Sequence, residues 1–179
     1  MSHRKRLESL FSEHGYSDYK WIDPVEIEVA QWVRMHCMFG CSDYGRNASC
    51  PPNTPSVSEC REFIREYTSA VVFHFHKAVD NPEDRYEWSR RTNLALLDLE
   101  RAVFLSGHEK AFLLFMDNCR VCAECTSRRV DCKNPDSGRP SAEAMAVDVF
   151  STVKKLGYPI EVLDDHHRAM NRYAFMLIE

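Results

Sequence analysis

The chain has 179 residues, 44% of them hydrophobic and 28% charged, with a formal net charge of −4. That balance is expected of a folded globular protein, and it excludes a long disordered chain and a general nucleic-acid binder. The opening MSHRKRLESLF has basic residues but no apolar run behind them, and the longest apolar runs, such as residues 111–116, are short. Neither a signal peptide nor a membrane span is expected, and the protein is read as cytoplasmic.

In chain order, residues 4–14 predict a short amphipathic helix with Leu7, Leu10 and Phe11 on one face. Residues 21–35 leave strand and helix both open, because Pro24 and the β-branched Ile27, Val29 and Val33 pull in different directions. Ser56-Val57-Ser58-Glu59 has the form of a capping box and predicts a helix from there to about residue 67. Residues 71–76 predict a strand, 84–106 a long helix stopped at Gly107, and 111–116 a second strand. Pro140-Ser141 predicts a helix running to about Leu156, closed by Gly157 and Pro159, with two further strands at 160–163 and 173–178. The order implies an α+β or α/β fold: one domain over residues 1–179, with helices packed on a small sheet and two cysteine-rich loops at 37–60 and 119–132.

All eight cysteines fall in those two loops. The first set is Cys37-x3-Cys41-x8-Cys50-x9-Cys60, and the second is Cys119-x2-Cys122-x2-Cys125-x6-Cys132. Disulfides are disfavoured in a reducing compartment, so metal ligation is the leading explanation. Three cysteines at x2 spacing put three thiolates on one tight loop, which suits an iron–sulfur cube with a fourth ligand from further along. Structural zinc is the alternative, since four thiolates also make a good zinc set. Cys60 falls in the first turn of the capped helix, where the helix dipole favours thiolate. Arg120, Arg128, Arg129, Lys133 and Arg139 crowd the second set and read as charge compensation.

Val33-Arg34-x-x-Cys37-x3-Cys41-x2-Tyr44-Gly45-x4-Cys50-Pro51-Pro52 resembles the first signature of a family of predicted metal-binding proteins, DUF2284. The second signature is similar to Cys119-x2-Cys122-x2-Cys125-x6-Cys132-x2-Pro135, followed by Arg139-Pro140-Ser141-x-Glu143-Ala144-x3-Asp148-Val149. The resemblance implies that all eight cysteines are metal ligands. It supplies no reaction.

Two [4Fe–4S] clusters and electron transfer to or from a redox partner protein are therefore the leading expectation. One alternative is an enzyme with a site-differentiated cluster: if Cys60 does not ligate, one iron is open and acts as a Lewis acid. A further alternative is a zinc- or cluster-braced interaction or sensor protein. His74 and His76 lie two apart on a predicted strand and share a face, with a core-edge or solvent-facing pair as the simpler reading. Asp164-Asp165-His166-His167 reads as a polar turn. No phosphate-binding loop and no nucleophile triad stand out.

Overall fold

The computed structural model describes residues 3–165 and 167–179. Its elements run α1 (His3–Glu13), β1 (Tyr19–Ile22), α2 (Gln31–Gly40), α3 (Val57–Arg65), β2 (Ala70–Lys77), α4 (Asp84–Leu105), β3 (Phe112–Leu114), α5 (Val149–Lys155) and β4 (Met170–Leu177), with short 3₁₀ turns at Pro24–Glu26, Arg129–Asp131 and Glu143–Met145. The fold is α+β, as the element order implies.

The four strands form one antiparallel sheet in the order β1-β2-β4-β3. β2 and β4 lie at its centre, in a register that pairs Val72 with Phe175 and Phe73 with Ala174. Side chains alternate across a strand, so each central strand serves two cores. Val71, Phe73, Ala174 and Met176 face one layer with Leu7 and Phe11 of α1 and Leu96, Leu99 and Val103 of α4. Ala70, Val72, Phe175 and Leu177 face the other, with Cys60 and Ile64 of α3 and Val149 and Val153 of α5. Covering both faces is why β2 reads as a nearly unbroken apolar run rather than an alternating one. Phe73 and Phe175 are fully buried, and each contributes about 1.5–3 kcal/mol of transfer free energy.

The capping box forms: Ser56 Oγ accepts from the Glu59 N–H, and the Glu59 carboxylate accepts from the Ser56 N–H at 2.8 Å. Gly107 follows α4 with φ +105°, a backbone conformation open to glycine. Two expectations are corrected. The helix predicted from 140 does not start there; Ser141 and the 3₁₀ turn lead through Ala146 at φ 61° to Asp148, whose side chain accepts from the Ser151 N–H and starts α5 at Val149. Residues 160–163 are not a strand. β4 is already paired on both edges, so that segment finds no free edge beside it.

Candidate metal centre

The first cysteine loop leaves α2 and returns to α3. Cys37 lies in the last turns of α2, Cys41 follows its end, and Cys50 sits in the tight turns of the loop, buried. These three line one open cavity of about 350 Å3 together with Glu143, Arg85 and Arg172. Cys60 is elsewhere. It is fully buried in the core under α3, with its sulfur 3.9 Å from Met145 Sδ and 3.9 Å from Arg34 Nη2. Burial raises the Cys60 thiol above its ordinary value, and the opposing pull of Arg34 is the smaller effect. The thiolate expected at this helix N-terminus is thus overridden by desolvation.

The second loop encloses its four cysteines differently. Cys119, Cys122, Cys125 and Cys132 surround a cavity of about 20 Å3. Amide donors point at two of the sulfurs: the Ala48 N–H donates to Cys125 Sγ at 3.2 Å, and Asn134 Nδ2 donates to Cys122 Sγ at 3.0 Å. Such donors favour the anionic form of sulfur. Burial is the largest influence on Cys119 and raises its thiol, opposed by hydrogen bonds from Val121, Ser49 and Arg139.

The two loops are laced together. Asn47 donates to the Cys119 carbonyl at 2.7 Å, Asn53 to the Ser127 carbonyl at 2.8 Å, and Asn118 to Asp43 Oδ2 at 2.7 Å. Burial, with neighbouring Cys37, Cys41, Asp43 and Cys119 adding to it, pushes the Cys50 thiol up to about 12. A cation among these sulfurs would favour their thiolate forms.

The arginines of the second loop are braces rather than counter-charges to sulfur. Arg129 Nη2 donates to the Pro135 carbonyl at 2.9 Å, Arg139 Nε to Glu100 at 3.0 Å, and Arg120 lies 3.8 Å from Asp43 and 4.0 Å over the Tyr86 ring; Arg128 pairs with Asp131 at 3.5 Å. His74 is a satisfied core-edge residue, bonded to Asp18 at 2.7 Å and Asn171 at 2.8 Å, while His76 is exposed. His166 of the polar turn lies outside the described residues.

The expectation of two four-cysteine [4Fe–4S] clusters is corrected by this geometry. Among the described residues, the group of His, Cys, Asp or Glu ligand atoms that all come within 4.8 Å of one another is His3, His108 and Glu179, a set with no cysteine. Cys60 is absent from the cavity lined by the rest of its set. The cavity of the second set is small, about 20 Å3. With the paired clusters goes the two-cluster route for electron transfer. Sequence spacing missed His3, His108 and Glu179 because they are scattered along the chain and meet only through the fold.

The family model for predicted metal-binding proteins, DUF2284, matches residues 20–178. The chain belongs to the DUF2284 family. No curated protein and no solved structure matches it. Among the described residues of this DUF2284 protein, no helix is long and apolar enough to cross a membrane.

Proposed function

We propose that this DUF2284 protein is a metal-dependent enzyme whose centre is held by Cys37, Cys41 and Cys50 with one coordination position open to a small anionic substrate. The observation that carries the reading is the division of the first cysteine set: three thiols line one cavity and Cys60 is in the core. Three thiols are the donor count of a catalytic zinc site, and a zinc ion on which they closed would act as a Lewis acid at its open position. The other cavity groups suit the same chemistry. Burial raises the carboxyl of Glu143, with Asp117 adding to the effect, so Glu143 is suited to hold a proton and donate it as a general acid. The Nε atoms of Arg85 and Arg172 are buried without a hydrogen-bond partner, and both arginines line the cavity. A carboxylate or phosphate group gives such guanidinium donors their partner.

The test is metal analysis and optical spectroscopy of protein isolated without oxygen. Cys37→Ser and Cys50→Ser are expected to lose the metal of the first loop, and Cys60→Ala to keep it with an unchanged spectrum. Loss of that metal in Cys60→Ala, with the near-ultraviolet circular dichroism of the folded protein retained, overturns the three-thiolate reading.

A further inference from the structure

We infer that His3, His108 and Glu179 form a thiol-free site for a divalent metal ion of the zinc class, separate from the cysteine loops. The site joins three parts of the fold. His3 opens α1, His108 lies in the turn between α4 and β3, and Glu179 follows β4. Two imidazoles and one carboxylate are a recurrent zinc donor set that leaves a position for water. Ligand atoms about 2.0–2.1 Å from a common ion stand roughly 3–3.5 Å apart in a tetrahedral arrangement, and the three candidate atoms already lie within 4.8 Å of one another. The His3 and His108 rings meet edge to face, with centroids 5.9 Å apart.

The state of His108 points to a ligand rather than to an ordinary ion pair. Its side chain is only 5% exposed, and its Nδ1 lies 2.7 Å from Glu179 Oε1. Yet that nitrogen makes no hydrogen bond. The two atoms are close but not aligned donor to acceptor, which leaves a buried polar atom unsatisfied at a cost in free energy. An ion shared between imidazole and carboxylate removes that cost and requires no N–H between them. Glu179 is also held in place: its carbonyl accepts from the Thr68 N–H and, at 2.9 Å, from the Ser69 N–H. The carboxylate therefore projects from an anchored backbone, and the ion ties α1 to the sheet.

The experiment is a zinc titration by calorimetry of tag-free protein as purified, with its thiol-bound metal in place. Wild type is expected to take up one further equivalent, and His3→Gln, His108→Gln and Glu179→Gln to bind it at least about tenfold more weakly. Cobalt(II) loaded into the same site is expected to give visible bands without sulfur-to-metal charge transfer. Wild type that takes up no further zinc overturns the inference. So does an equivalent retained by His108→Gln, which assigns binding to His3 and the neighbouring main chain alone. A cobalt spectrum with sulfur charge transfer does the same by assigning the ion to the cysteines. His3 is exposed, so its variant tests the site even if the buried His108→Gln fails to fold. The difference between wild type and these variants is the same whether or not metal occupies Cys37, Cys41 and Cys50.

Discussion

Glu100 sits on the buried face of α4 with its carboxylate between two donors, the Leu113 N–H at 2.8 Å and Arg139 Nε at 3.0 Å. β3 is an edge strand, and edge strands present backbone donors that need cover. α4 provides it from its polar positions: Glu100 accepts from Leu113, and Asn93 accepts from the Met116 N–H at 3.3 Å. Arg139 in turn fixes the segment that leaves the second cysteine loop, so one carboxylate sets both strand edge and loop exit. Glu100→Ala strands a buried amide and an arginine that is only 21% exposed, and is expected to cost about 3 kcal/mol. A urea-denaturation midpoint measures this, and Glu100→Gln, which keeps an acceptor for Leu113, is expected to lose less. None of this was legible in the sequence, where Glu100 looks like one more charge on a long helix. The pairing is with residues 13 and 39 positions away, beyond the reach of any helical periodicity. Glu143 stands in the second family signature, but its place in the cavity was hidden for a similar reason: its neighbours there come from four other parts of the chain.

At the scale of elements, local chemistry was readable wherever it decided the structure. α3 starts where the capping box places it, because both reciprocal hydrogen bonds lie within four residues. β2 and β4 follow from their β-branched and aromatic runs. α5 shows the limit: Pro140-Ser141 imitates a helix start, but Ala146 turns left-handed and Asp148 provides the working cap three residues before Ser151. The segment at 160–163 has strand composition and no partner, and pairing is a property of the sheet rather than of the segment. The α3 cap also carries a pH dependence. Hydrogen bonds from Ser56, its side chain first and then its backbone, lower the Glu59 carboxyl below its ordinary value. A depressed folded-state value means the stabilisation is fully present above the unfolded carboxylate value of about 4.3 and is lost as pH falls through the lowered value. Ser56→Ala is expected to cost about 1 kcal/mol at neutral pH. Its deficit should shrink as acid protonates Glu59, which thermal unfolding of the two proteins across pH 7 to 2 would show (a range of about five pH units that spans the carboxylate titration).

For the whole molecule, the sheet and its two cores form a base from which both cysteine loops rise, and the loops hydrogen-bond to each other. The eight-cysteine pattern was visible in the sequence, and the chain belongs to a family of predicted metal-binding proteins. The expectation that failed is the pair of clusters. Spacing grouped the cysteines four and four, whereas the fold sends Cys60 inward with α3, since a fully buried position under that helix is filled by a small apolar side chain as readily as by a ligand. What spacing could not show is that Asn47 is a buried staple between the loops. It is 6% exposed, donates to the Cys119 carbonyl and accepts from the Ser49 N–H at 2.9 Å. If the loops order as one unit, removing that staple loosens both at once and leaves the sheet alone. Asn47→Ala is therefore expected to cost about 2 kcal/mol and to speed amide exchange at residues 43–53 and 118–129 together, while β2 and β4 keep their protection. Faster exchange confined to residues 43–53 would show instead that the second loop is held by its own four cysteines, with the hydrogen bonds across to the first loop contributing little to its order.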